Sequence, residues 1–342
     1  LNKYNENNIM KLLVTGCFGF IGYNFINYIN ENLSNDFEII GIDSLNEKYS
    51  ELNRKTFVEK SNNFEFYNLD INKIQELKYK IDNVDVLINF AAESHVDNSI
   101  STPDKFIDSN ISGVAKLIKF AISKNIPYFY HISTDEVYGS SEKNFFFEDD
   151  KFNPSSPYSA SKASAELICN SFMHTYGYEA LMIRPANNYG IYQQPEKLIP
   201  FSISSLLSGK NIELYGNGKN IRHWLHVSDT VSSILHLIEK KYSNGVFNIG
   251  SGEYYENLYV AEKILNHLDL KKDRLIFVED RPGHDYRYAV NFDKLMKTGW
   301  KPKRKFDDEI GKIVNWYKSN ENWWAEDFKG INQRRKNRLS FQ

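Results

Sequence analysis

The chain has 342 residues, 41% of them hydrophobic and 25% charged, enough for one large domain or two linked ones around a sizeable core. A formal net charge of −2 argues against nucleic acid as the main partner, because phosphate recognition needs a basic surface. No stretch approaches roughly 18 uninterrupted apolar residues, so no membrane span is expected; Cys17 and Cys169 lack a metal-like spacing and fit a reducing, cytoplasmic, metal-free setting.

Residues 1–9 are polar and asparagine-rich and read as a disordered leader rather than a signal peptide. Residues 11–15 form a short apolar strand, followed at once by Gly16, Gly19 and Gly22 and an apolar-periodic segment to about Leu33. A glycine loop between strand and helix lets backbone N–H groups and the positive helix end approach a pyrophosphate. Residues 38–43 are a second strand ending in Asp43, twenty-one residues after Gly22, where a ribose-binding carboxylate is expected. An acid at that place accepts from a free 2′-hydroxyl and repels a 2′-phosphate, which favours NAD over NADP.

The alternation continues with a strand at 64–69 ending at Asp70 and Ile71, a helix at 74–81, and a near-continuous apolar strand at 84–90. That strand runs into Ala91, Ala92, Glu93, Ser94 and His95. Apolar residues at 107, 111, 114, 117, 118, 121 and 122 predict a helix over 107–122. The strand 128–132 ends in Ser133, Thr134, Asp135 and Glu136, and a Pro/Ser-rich loop then leads to Tyr158 and Lys162, which share a helix face at i and i+4. An ammonium near a phenol favours the phenolate, which makes the tyrosine a usable base. A tyrosine base, an acid and a carboxylate base in one pocket suffice for oxidation followed by elimination.

This order implies an α/β fold, a doubly wound parallel sheet whose ligands sit beyond the carboxyl ends of its strands. The glycine loop, Asp43, Asp70, residues 91–94 and residues 134–136 all follow strand ends. After a strand at 180–185 the chain turns polar and aromatic over 187–200, with a helix around 201–207 and a turn at Gly216 to Gly218. Residues 224–240 and 245–249 are expected to return to the main sheet, and 258–268 to be helical. The expected division is 10–186 with about 221–250 for the dinucleotide, and about 187–220 with 251–330 for the substrate; 1–9 and 331–342 are flexible ends, the last a solvated basic run.

Together these motifs resemble the extended short-chain dehydrogenase/reductases and, within them, the nucleoside-diphosphate-glucose 4,6-dehydratases. The resemblance runs from about Lys11 to about Trp316. The most specific pieces are residues 91–97 (Ala-Ala-Glu-Ser-His-Val-Asp), 133–139 (Ser-Thr-Asp-Glu-Val-Tyr-Gly), 187–190 (Asn-Asn-Tyr-Gly), 195–200 (Pro-Glu-Lys-Leu-Ile-Pro) and 280–284 (Asp-Arg-Pro-Gly-His). It implies a Rossmann-type sheet with a smaller, discontinuous α/β domain, and a three-stage cycle on dTDP-glucose or UDP-glucose, in deoxysugar biosynthesis leading to rhamnose or an amino sugar. Tyr158 takes the C4 hydroxyl proton while hydride leaves C4 for NAD⁺, Lys162 lowers the tyrosine's pKa and holds the nicotinamide ribose, and Thr134 bonds the C4 oxygen. Glu136 then removes the C5 hydrogen, Asp135 protonates the departing C6 hydroxyl, and hydride returns to C6. Asp135 needs a raised pKa for that role.

For the cofactor the resemblance implies contacts from Phe20, Ile21, Asp43, Ser44, Leu45, Asn46, Asp70, Ile71, Phe90, Ala91, Ala92, Ser94, Ser109 and Asn188, beside the three glycines. For the nucleotide sugar it implies Ser94, Asn187, Lys197, Leu198, Glu213, Leu214, Tyr215, Arg222, Asn257, Asp280, Arg281 and His284. Arg222 and Arg281 suit the diphosphate, because a guanidinium matches phosphate oxygens in pairs, and Tyr215 suits stacking on the base. A homodimer joined by the 107–122 helix and the helix bearing Tyr158 is also implied. Departures from the family pattern are Cys17, Ala186, Ile191 and His223, in or near the nucleotide-binding side. The Asp-Glu pair speaks against a nucleotide-sugar 4-epimerase or decarboxylase on the same scaffold, and Tyr158 with Lys162 against a non-catalytic NAD-sensing protein.

Overall fold

The computed structural model describes residues 9–61, 63–280 and 283–339, with 332–339 described by backbone alone. Seven strands form one parallel sheet: β1 Met10–Thr15, β2 Phe37–Asp43, β3 Phe64–Asn68, β4 Val86–Asn89, β5 Tyr128–Ile132 and β6 Ala180–Pro185, together with a strand at Gly245–Ile249. Between these last two in the chain come β7 Asn187–Tyr189, β8 Ile212–Tyr215 and β9 Ile221–His226, so Gly245–Ile249 is β10; β11 Tyr254–Glu256 and β12 Leu275–Val278 follow. The sheet order is β10-β6-β5-β4-β1-β2-β3, reversing at β1 and β4.

Period-two alternation divides each strand between two cores. Leu12 and Val14, Val86 and Ile88, Tyr130 and Ile132 face one layer, built with the helices Phe20–Asn32 and Val227–Glu239. Leu13, Leu87 and Phe129 face the other, built with Val114–Ser123 and Pro157–Tyr176. Coverage of both faces is why these strands read as continuous apolar runs. A third core gathers the helices Leu198–Leu207, Asn257–His267, Phe306–Ser319 and Glu321–Leu339.

Four expectations change. The segment at 74–81 is a 3-10 helix over Ile71–Leu77, capped by Asp70 through Asn72 N at 2.8 Å. The 107–122 stripe opens with a π-helical stretch, Ile107–Gly113, before Val114–Ser123. The wider π turn shifts the helix phase, so Ile107 lies 52% exposed while Val114, Leu117 and Ile118 are buried. Residues 224–226 do not join the main sheet: β9 pairs with β7 and β11, whereas Val227–Glu239 and β10 do return. The backbone of 331–339, expected within a flexible end, continues the helix Glu321–Leu339. The leader at 1–8 and the final residues 340–342 lie outside the described residues. Among the described residues, no helix is long and apolar enough to cross a membrane.

Candidate active site

A cavity opens beyond the carboxyl edge of the parallel sheet, lined from the glycine loop on one side to Tyr215, Arg222 and Asn257 on the other. At the loop, Gly16 has φ +66°, and a Cβ there would sit 2.5 Å from the Ala91 nitrogen, so the turn itself requires glycine. Gly19 is different. Its φ is −70°, and an added Cβ would come no closer than 3.4 Å, to the Gly16 oxygen. The fold would accept a side chain at this helix start, so its bareness suits a group arriving from outside the chain, as backbone approach to a pyrophosphate requires. Asp43 is half-buried and already accepts from Phe18 N at 3.0 Å and Leu45 N at 2.9 Å. Burial pushes its carboxyl up, and these two N–H groups oppose the shift.

The reaction corner is built by two local devices. Thr134 caps a 3-10 turn over Asp135–Tyr138, its Oγ1 accepting from Glu136 N at 3.2 Å, which turns Asp135 inward and Glu136 toward the cavity. The helix Pro157–Tyr176 starts in a capping box between Ser156 and Ser159, with Pro157 in its first turn; this sets Tyr158 at the mouth. Asp135 is 2% exposed and its Oδ2 has no hydrogen-bond partner. Burial and the neighbouring Glu136 drive its pKa well above the usual carboxylate range, the direction a proton donor needs. Tyr158 is 8% exposed; burial and Glu136 raise its pKa, and a hydrogen bond with Thr134 lowers it.

Lys162 shares the helix face but not the direction expected of it. Its Nζ donates to the Ile132 carbonyl at 2.6 Å, beneath the cavity, and burial lowers its pKa to about 8 against the pull of Glu166. The groups acting on the phenol are burial, Glu136, Thr134 and Asp135, so in this state the tyrosine is shifted upward rather than down. Beneath the corner, Glu166 and Arg184 form a buried ion pair at 2.6 Å. Asn110 ties Glu93 N and O to Ser161 Oγ, each at 2.9 Å.

On the far side, Lys197 Nζ donates to Ser94 O at 2.5 Å, and Tyr215 donates to Asp97 at 3.0 Å. Arg222 is buried, stacked 4.4 Å over the Tyr288 ring, and donates to Asp285 O at 3.1 Å. His284 pairs with Asp280 at 2.6 Å. Several lining groups hold polar atoms that are buried and unpartnered: Asp135 Oδ2, Asn187 Oδ1, Asn257 Oδ1, Gln193 Oε1 and Gln194 Oε1. Buried polar atoms are normally paired, so this set is matched to a polar ligand.

Of the residues singled out from the sequence, Gly16, Gly19, Phe20, Ile21, Gly22, Phe90, Ala92 and Ser94 line the cavity. So do Thr134, Asp135, Glu136, Tyr158, Asn187 and Asn188, and Lys197, Leu198, Glu213, Leu214, Tyr215, Arg222, Asn257 and His284. Asp43, Ser44, Leu45, Asn46, Asp70, Ile71, Ala91, Ser109, Lys162 and Asp280 stand outside its lining, and Arg281 lies outside the described residues. Ile71 is a core residue packed against Gly113. His223 is internal, its Nε2 accepting from Ser251 N and Gly252 N at 2.9 and 3.0 Å, and burial lowers its pKa to about 3. Lining residues that sequence reasoning missed include Tyr49, His95, Gln193, Gln194, Tyr288 and Ile331. His95 sits inside the 91–97 motif and the two glutamines lie in the gap between the 187–190 and 195–200 motifs; Tyr49, Tyr288 and Ile331 carry no local signal.

The sheet, its reversal at the glycine loop and this cavity define a dinucleotide-fold enzyme scaffold, and the chain belongs to the GDP-mannose 4,6 dehydratase family, whose model matches residues 13–313. Among relatives, the low-salt glycan biosynthesis protein Agl12 of Haloferax volcanii is 39% identical over 90% of this chain and 98% of its own. A dTDP-glucose 4,6-dehydratase of an Actinoplanes species is 35% identical over 92% of this chain and 100% of its own. Among solved structures, the dTDP-glucose 4,6-dehydratase DesIV of Streptomyces venezuelae, with NAD and TYD bound, has a TM-score of 0.88 at 36% identity, covering 92% of this chain and 99% of that one.

Proposed function

We propose that this protein is a hydro-lyase that converts dTDP-glucose or UDP-glucose to the 4-keto-6-deoxy sugar in deoxysugar biosynthesis, with NAD as its resident cofactor. The observation that carries the reading is the buried Asp135 carboxyl, its Oδ2 unpartnered, beside Glu136 and within one cavity with Tyr158. Bound NAD supplies the hydride acceptor for C4 and the donor for C6. Tyr158 accepts the C4 hydroxyl proton, with Thr134 bonding the C4 oxygen. The resulting ketone acidifies the C5 hydrogen, which Glu136 removes, while the protonated Asp135 gives its proton to the leaving C6 hydroxyl. One acid and one base at neighbouring carbons are what elimination beside a ketone requires.

The glycine loop and Asp43 hold the dinucleotide, Lys162 orients its ribose, and Arg222 with Arg281 and Lys197 hold the nucleotide sugar. These roles, with the pairing of β9 to β7 and β11, support a dinucleotide part (10–186, 227–250) and a nucleotide-sugar part (187–226, 251–330). Exposed Ile107 and Leu167, on the helical faces expected to pair, support a homodimer. The free, buried Cys17 and Cys169 support a cytoplasmic setting. The test is separate incubation with dTDP-glucose and UDP-glucose, following the alkaline absorbance of a 4-keto sugar and the mass loss of one water. Neither signal with either substrate would refute the proposal.

A further inference from the structure

Helix Glu321–Leu339 lies beyond the segment matched by the family model, yet its first turn reaches the glycine loop through one intermediary. Trp323 Nε1 donates to Asn53 Oδ1 at 2.8 Å, and Asn53 Nδ2 donates to the Phe18 carbonyl at 3.0 Å. Asn53 is 1% exposed, on the helix Lys48–Val58, and an amide has one donor end and one acceptor end to satisfy. The same Phe18 donates its N–H to Asp43 at 3.0 Å, so both polar groups of that peptide unit's residue are held by side chains. Two further contacts join the same pair of helices: the Lys48–Glu326 ion pair, and the ring of Tyr49, a cavity-lining residue, 6.0 Å from that of Trp323.

We propose that Trp323 is a positioning residue for the dinucleotide, acting through Asn53 to hold the Gly16–Gly19 turn in its binding shape. The C-terminal helix is then a strap on the cofactor loop as well as part of the third core. This rests on the reading of the loop as an NAD site. A loop ordered in advance spares the ligand that ordering cost, so the strap contributes to affinity without touching the ligand.

Trp324 provides the control. It also donates its indole N–H, to Tyr317 O at 2.8 Å, but within the C-terminal helices and away from the loop. Cofactor-stripped wild type, Trp323→Phe and Trp324→Phe are titrated with NAD⁺ by calorimetry, with Tm recorded for each. One part-buried hydrogen bond sets the scale, so Trp323→Phe weakens NAD⁺ binding roughly three- to tenfold. Trp324→Phe lowers Tm but leaves the NAD⁺ Kd within about twofold of wild type. An unchanged Kd in Trp323→Phe, or equal weakening in both variants, overturns the proposal. Linkage supplies a measurement on the unaltered protein: NAD⁺ must slow amide hydrogen exchange in Glu321–Leu339, and the absence of that protection overturns it as well. A wild type that takes up no NAD⁺ at all instead brings down the site reading on which the strap depends.

Discussion

At the glycine loop the cavity wall is backbone and apolar side chains, Phe20 and Ile21 among them, whereas around Asp135 and Tyr158 it is made of ionisable groups withdrawn from water. The difference teaches which partner brings the charge. A pyrophosphate carries its own, so the first region needs only N–H groups, space and a helix start. The reaction corner must move protons, so its charges are the protein's, and burial sets their pKa values. The first region is held rigid by contacts that satisfy every polar group of Phe18. The second leaves Asp135 Oδ2 unsatisfied, at a cost to stability.

The largest expected effects break the reaction corner without touching the loop. Tyr158→Phe and Asp135→Asn each lower turnover by about 10²- to 10⁴-fold, the usual worth of a positioned acid or base. They fail at different stages. Stopped-flow absorbance near the NADH band shows no reduced cofactor in Tyr158→Phe, whereas Asp135→Asn accumulates it because oxidation proceeds and water loss does not. The same trace in both variants would refute the division of roles.

Next is Lys162→Met, which removes a buried cation. The folded-state pKa, about 8, is depressed below the unfolded 10.5, so the unfolded chain binds the proton more tightly. The penalty is therefore full below pH 8 and gone above pH 10.5. The difference in stability between variant and wild type therefore shifts in the variant's favour by about 3 kcal/mol at pH 7 relative to its value above pH 10.5, whatever the fixed cost of losing the bond to the Ile132 carbonyl. Urea unfolding at pH 7 and pH 10.5 measures it, with a pH-independent difference as the contrary result.

Two glycine variants sharpen the contrast from the other side. Gly16→Ala combines a left-handed φ with a backbone clash and costs about 1–3 kcal/mol in thermal or urea unfolding. Gly19→Ala changes stability by no more than about 0.5 kcal/mol yet weakens NAD⁺ binding by roughly tenfold, because its Cβ comes no closer than 3.4 Å to the chain but intrudes where the ligand belongs. Calorimetric titration alongside unfolding separates the two; a Gly19→Ala protein that binds NAD⁺ normally would refute the reading of the loop.

Local patterns carried much of the fold. The seven strands of the main sheet and the helix Asn257–His267 lie within a residue or two of where apolar runs and turn residues put them. The misreadings have physical causes. A π-helical stretch preserves an apolar stripe in the letters while rotating Ile107 outward. Residues 221–226 mix Ile221, Trp224 and Leu225 with Arg222, His223 and His226, so nothing local names a sheet, and their partners, β7 and β11, are chosen by tertiary packing. His223, suspected of facing the nucleotide, proves to be an internal acceptor, because adjacent residues on a strand point to opposite faces and Arg222 takes the cavity side.

Residue types, their spacing and their places at strand ends are properties of the chain, and they determined the α/β class, the glycine loop and the Thr134, Asp135, Glu136, Tyr158 and Lys162 set. Direction and burial belong to the folded molecule. Only there does Lys162 turn to the Ile132 carbonyl, Asp135 lose its solvent, and Trp323 meet Asn53 from the other end of the chain. Desolvation and contact depend on which distant segments pack together, and no local run of residues encodes that by itself.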